Sequence, residues 1–178
     1  MAIVYVEANG VTSPDNWTLQ AGASKVAAVN TPYDDNASYI RSTTTVDTYQ
    51  TFTCSPGLAS GDTITQIDIY ARCQRGGAND STFRIGYSFT PSGGGTQTGE
   101  SAGGALTASS VWNDFSYTHS GLSVVWGSGL TFWIRNTQGR YVSCTALYVG
   151  ITYTPAAMVA AGPLVNAPRL KSKLRGLV

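Results

Sequence analysis

Histidine is almost missing from this chain: among its 178 residues His119 is the only one. A histidine-based dyad or triad would therefore have to run through a residue in SYTHSGL, at a strand end before a glycine turn, which reads as a rim position. Ser120 beside it makes no hydrolase, since G-x-S-x-G is absent and nothing resembles a strand–turn–helix to hold it. Glutamate is nearly as rare. Glu7 closes the first strand and Glu100 lies in a Gly-rich loop, so neither suggests the carboxylate pair of glycoside hydrolysis. GGAND and PSGGG lack the lysine and following helix of a phosphate loop. No catalytic residue and no cofactor is expected.

Other scarcities narrow the class further. No apolar run approaches the roughly 20 residues of a membrane helix, and MAIVYVEANG has neither the basic start nor the apolar stretch of a secretion signal. The expectation is synthesis and folding in a cytoplasm, with no membrane partner. Cys54, Cys73 and Cys144 show no metal or redox spacing and sit in strand-like runs, so they read as small buried hydrophobes. A Cys54–Cys73 bridge stays open, because sequence supplies no geometry. Charged residues make up only 12% of the chain, too few for a disordered or a charge-laced helical protein.

What is present is aromatic residues at 11%, 20 glycines and much Ser and Thr, the composition of an all-β domain. Charge is uneven. Residues 1–155 hold all 10 acids and 7 of the 11 basic groups, a net of −3, while Arg169, Lys171, Lys173 and Arg175 give the rest +4. The body has no basic stripe to neutralise phosphates, so no nucleic-acid partner is expected.

Strand-like runs recur at short intervals. Ile3–Glu7 opens the chain, Gly10–Asn16 reads as a turn, and Trp17–Gln20 and Lys25–Val29 read as short strands. Tyr39–Ser42 and Asp47–Cys54 follow. In Ile64–Gln74, Ile67, Ile69, Ala71 and Cys73 alternate with polar residues, giving one core face and one solvated face. Thr82–Thr90 repeats the pattern with Phe83, Ile85, Tyr87 and Phe89, and the Gly-rich loop between them suggests an antiparallel hairpin. Ser92–Gly104 reads as a flexible connection with one short central strand. Val111–His119, Leu130–Asn136 and Val142–Thr154 complete nine to eleven strands. The expected fold is an antiparallel two-sheet sandwich of jelly-roll type over residues 1–155, with an extended arm over 156–178.

Two stretches invite a ligand. Asp34, Asp35 and Asn36 in TPYDDNASYI supply hard oxygens for calcium, but two carboxylates fall short of a full shell and a turn explains them better. Three Asn-x-Ser/Thr matches at Asn16, Asn36 and Asn79 read as chance in an Asn/Thr-rich chain. Trp17, Trp112, Trp126 and Trp133 raise a lectin-like alternative. Trp126 lies at a turn and Trp133 is out of phase with the core face of Leu130, which makes these two the candidates for stacking on a host-surface glycan. The competing reading has the tryptophans filling the sandwich or its seams.

The stretches YVEANGVTSPDNWT, PYDDNASYIRST, ITQIDIYARCQR and ALYVGITYTP resemble jelly-roll proteins encoded among the virion genes of tailed bacteriophages. That resemblance implies a particle component, such as a capsid decoration or minor tail protein, assembled in the host bacterial cytoplasm. It implies other virion proteins and copies of the same chain as partners, and it carries no catalytic residues.

The ending, GPLVNAPRLKSKLRGLV, is expected to be the docking arm. Pro163 and Pro168 stiffen an extended stretch beginning with Leu164. Leu170, Leu174 and Leu177 then fall at i, i+4 and i+7 of a short helix opened by Pro168. Arg169, Lys171, Lys173 and Arg175 occupy its other face. An acidic, partly apolar groove on a neighbouring virion protein would suit such an arm.

Overall fold

The computed structural model describes residues 1–30, 37–101 and 106–157. Among the described residues twelve strands and one short helix run in the order β1 (Ala2–Val6), β2 (Gly10–Asp15), β3 (Thr18–Ala21), α1 (Lys25–Asn30), β4 (Tyr39–Arg41), β5 (Thr48–Thr53), β6 (Thr63–Arg75), β7 (Ser81–Thr90), β8 (Gln97–Glu100), β9 (Leu106–Ala108), β10 (Asn113–Val125), β11 (Ser128–Asn136) and β12 (Val142–Thr154). They form an all-β, antiparallel two-sheet sandwich, as the sequence pattern predicts. The docking-arm residues Pro163, Leu164, Pro168, Arg169, Leu170, Lys171, Lys173, Leu174, Arg175 and Leu177 lie outside the described residues. So do the calcium candidates Asp34 and Asp35.

Sheet A is ordered β10-β6-β12-β4-β3, with β1 also on β12; sheet B is ordered β2-β5-β11-β7-β8, with β9 also on β7. The alternation read from the sequence becomes the core between them. Ile64, Ile67 and Ile69 of β6 and Leu147, Val149 and Ile151 of β12 are fully buried from one side, Phe83, Ile85, Tyr87 and Phe132 from the other. Each such side chain contributes about 1.5–3 kcal/mol through apolar burial. Phe52 and Phe132 stack at 5.9 Å within sheet B, while Phe83 of sheet B meets Phe115 of sheet A edge-on at 5.0 Å. At one pole Asp62, 5% exposed, accepts hydrogen bonds from the backbone N–H groups of Ala59 at 2.8 Å and Ala156 at 2.9 Å.

Three expectations change, and the cysteines are buried and free, as read from the sequence. β6 and β7 do not form a hairpin: they sit in opposite sheets, and residues 76–80 carry the chain across the sandwich. Alternation reports a buried face and is silent about which sheet owns it. Lys25–Asn30 is a helix and not a strand. Ser24 caps it, its Oγ accepting from the Ala27 N–H at 3.0 Å, and Ala28 and Val29 are buried as it packs against β12. Gly10–Asp15 is an edge strand paired with β5, its turn-forming Ser13-Pro14 placed where an edge tolerates proline. Cys54 and Cys73 are unbridged, as is Cys144. Cys54 bonds toward Leu130 of sheet B, whereas Cys73 faces Cys144 in sheet A. Burial pushes the Cys54 thiol up to about 12. It also raises that of Cys73, helped by the Cys144 contact.

Candidate functional site

The two tryptophans singled out for stacking occupy different settings. Trp126 is 7% exposed and packs on Phe89 at 5.6 Å, so it offers no free ring face. The turn at Gly127 presses so closely on the Thr90–Ser92 backbone that the indole is folded into the core. Trp133 does point away from the core, as its phase predicts. It is half-buried on the outer face of sheet B, lying across Gly86, where a Cβ would come within 2.7 Å of the ring.

Around Trp133 some polar groups pair with one another, while Trp133 Nε1, Arg84 Nε and Arg135 Nε are buried with no hydrogen-bond partner. Glu100 accepts from Arg84 at 3.2 Å and from Arg135 at 3.1 Å, and Arg135 donates to the Tyr49 hydroxyl at 2.8 Å. Burial works against the Arg135 charge, but the Tyr49 hydrogen bond and the Glu100 and Asp47 carboxylates outweigh it and raise its pKa. The carboxylate and the guanidinium ends are thus tied together, and three buried N–H groups of this face are left over.

The outer face of sheet A is different. In β12 the residues opposite to Cys144, Leu147, Val149 and Ile151 are Ser143, Ala146, Tyr148, Gly150 and Thr152. A register break between Cys144 and Ala146 keeps both runs in phase. Tyr148 stacks on Tyr70 of β6 at 4.9 Å, and Tyr5 of β1 approaches Tyr70 at 6.4 Å. Tyr5 is 64% exposed. Gly150 is the floor beneath this group, where a Cβ would meet the Tyr5 ring at 3.1 Å. Burial, with Asp68 close by, raises the Tyr70 hydroxyl and keeps it a proton donor.

Farther along the same face, at the pole where β12 begins, a second aromatic group surrounds Arg41. Ile40 is fully buried, so its neighbours Tyr39 and Arg41 must project outward. Arg41 lies 5.4 Å from the Tyr39 ring centre and 5.8 Å from that of Tyr141, distances that suit cation–π attraction. Its Nε donates to Ser143 Oγ at 3.2 Å. Trp112 meets Tyr39 edge-on at 6.1 Å.

Tyr141, 41% exposed, stands between two open clefts. One, of about 300 Å³, is lined by Thr18, Gln20, Arg41, Thr43 and Tyr141 among others. The other, of about 260 Å³, is lined by Gly77, Asn79, Arg140 and Tyr141 among others. Gly76 is what lets the tyrosine lie down here, since a Cβ would sit 2.6 Å from Tyr141 Cβ. The cleft walls hang on Asn136, which is fully buried. Its Nδ2 donates to Thr43 O and Arg140 O, both at 2.8 Å, and to Ser42 Oγ at 3.2 Å. Its Oδ1 accepts from Gln138 N and Gly139 N at 3.1 and 3.2 Å.

A half-exposed ring flanked by hydroxyl, amide and guanidinium groups can stack on an apolar ligand face while hydrogen-bonding its rim. Sequence reasoning missed this group because Tyr39, Arg41, Trp112 and Tyr141 are dispersed over a hundred residues. The outward phase of Tyr39 and Arg41 about Ile40 was the available signal. His119 sits at the sandwich side, its Nδ1 2.7 Å from the Tyr87 hydroxyl. Among the described residues no group of His, Cys, Asp and Glu is arranged to hold a metal ion.

No family model matches the chain, and no curated protein matches it by sequence. Solved structures do resemble it in fold. The CBM22-1 xylan-binding domain of Paenibacillus barcinonensis Xyn10C aligns with a TM-score of 0.51 at 12% identity, over 84% of this chain and 94% of that one. The tandem CBM22-1-CBM22-2 domain of the same protein gives 0.53 at 12% identity, over 90% of this chain and 48% of the tandem. The CBM22-1-GH10 modules of Clostridium thermocellum xylanase 10B, complexed with xylohexaose, give 0.53 at 13% identity, over 84% of this chain and 28% of that one. At these identities the likeness is one of architecture: the chain has the jelly-roll sandwich fold that carbohydrate-binding modules use.

Proposed function

We propose that this chain is a non-catalytic glycan-binding module whose site is the outer face of sheet A, anchored at Tyr141. The observation that carries the reading is the Tyr141 ring standing 41% exposed between two clefts, with Arg41 held at its side. The Tyr5–Tyr70–Tyr148 group continues the aromatic surface along the same face. Polysaccharides with a xylan-type backbone are the first class to test, because the similar Paenibacillus domain binds xylan.

The test is a glycan array followed by calorimetry on the wild type and on Tyr141→Ala. Removing an exposed stacking ring should weaken binding about fivefold to tenfold without moving the melting temperature. Silence across the array, or equal affinity in the variant, would overturn the proposal.

A virion setting is a finer reading that rests on the sequence resemblance alone, as does the role of residues 156–178 as an arm docking on other virion proteins. Mass spectrometry of purified particles tests the first. Incorporation of a chain carrying Leu170→Asp and Leu174→Asp tests the second.

A further inference from the structure

The edges of the two sheets are not guarded alike. In sheet B, β2 carries Pro14 and a register break after Thr12, and β8 and β9 are only four and three residues long. In sheet A, β3 has four residues and β1 five. Short strands, prolines and bulges are the usual means of preventing edge-to-edge pairing. β10 has none of them over its first half. It is 13 residues long, is hydrogen-bonded to β6 on one side, and among the described residues has no strand on the other. From Asn113 to Ser120 the register is unbroken, and the segment contains no proline, lysine or arginine.

We propose that β10 pairs antiparallel with β10 of a second copy about a two-fold axis at Tyr117, joining two A sheets into one. An isologous contact requires a strand that tolerates its own reverse, and this one does. The axis sets Ser116 opposite Thr118, Phe115 opposite His119 and Asp114 opposite Ser120. No like charges meet, and Asp114 is already paired with Arg72 at 3.1 Å. A centre at Ser116 would draw in Trp112, whose ring leans on Tyr39.

The second copy also covers apolar surface. Phe115 and Tyr117 point toward the core yet are only half-buried, because β10 is the open side of the sandwich. Pairing adds backbone hydrogen bonds along residues 114–120 and shields these rings, the combination on which strand addition depends. A two-fold axis through the strand keeps both outer faces of sheet A on one side, so the dimer presents two aromatic surfaces in one plane.

Sedimentation velocity of the full chain tests this, and a concentration-dependent dimer is expected. Ser116→Lys with Thr118→Lys places lysine opposite lysine on both sides of the axis. It should weaken the dimer about tenfold or more, while the circular dichroism spectrum and melting curve show that the subunit stays folded. Register is read separately by mild oxidation. A mixture of Ser116→Cys and Thr118→Cys chains should cross-link, and each alone should cross-link far less, because only the mixed pair is directly opposed. A monomer at every concentration, a dimer indifferent to the lysines, or cross-linking with no preference for the mixture would each overturn the proposal.

Discussion

Replacing Asn136 by alanine should be among the most damaging single changes at the cleft pole. The side chain is 0% exposed and ties three segments together. Its amide donates to Thr43 O, Arg140 O and Ser42 Oγ, and its carbonyl accepts from Gln138 N and Gly139 N. Not all of these losses carry full weight. The Arg140 carbonyl keeps donors from Ser81 Oγ at 3.0 Å and Ser42 Oγ at 3.3 Å, and the exposed Gln138 can turn to water. What remains is two or three buried hydrogen bonds of about 1 kcal/mol each plus a desolvated carbonyl, together roughly 3 kcal/mol. For a domain of this size that is a fall in melting temperature of about 6–12 °C. Urea denaturation followed by tryptophan fluorescence measures it. Amide exchange should accelerate first at residues 138, 139 and 142. Asn136→Asp, which keeps the acceptor and buries a charge, should be no better tolerated. A loss below about 1 kcal/mol would mean that the loop walls are held elsewhere and that the hub is not one.

Two further outcomes follow from burial. Native protein at pH 8 should react with a thiol reagent far more slowly than the denatured chain, since all three cysteines are buried. Stability should hold level to about pH 9 and then fall. Above that value an unfolded Cys54 thiol ionises while the folded one, raised from 9.0 to about 12, stays protonated. Tyr87, raised by burial from 10.0 to about 12, adds the same sign beyond pH 10. The unfolded state therefore binds fewer protons, and each group removes about 1.4 kcal/mol per pH unit across its window. Equal urea midpoints at pH 7.5 and 10.5 would contradict this. Gly86→Ala should cost about 1–3 kcal/mol by overpacking, because the new methyl would lie 2.7 Å from both the Trp133 ring and Gly99 O. An unchanged melting curve would show that Trp133 moves aside freely.

The long strands were legible because one face of each is core. β12 falls on the residues that alternation marks, and the outward phase of Trp133 holds. Pairing was less legible. The same alternation in β6 and β7 is satisfied whether they are neighbours or lie across the core, and the glycine-rich link permits either. Lys25–Asn30 carries the β-branched Val26 and Val29, which favour a strand locally. Its Ser24 cap and the burial of the adjacent Ala28 and Val29 tip it to a helix only in tertiary context. The site was hidden for a related reason. Tyr141 adjoins Gly76 and Arg41 through sheet pairing, a relation that no window along the chain contains. Trp126 illustrates the opposite error, a large aromatic near a turn that the turn itself folds inward.

The clasp at Asp62 bears on how the molecule can be displayed. It fixes Ala156 at the end of β12, and β1 begins beside the same end, with Ala2 opposite Tyr153. Chain entry and exit thus share one pole, while Tyr141 and its clefts occupy the other, the full length of β12 away. Ala2 and Ala156 therefore both belong to the base. The Tyr141 pole is then the leading tip, and a tag, fluorophore or tether joined at the N-terminus would hold the protein with that tip facing outward.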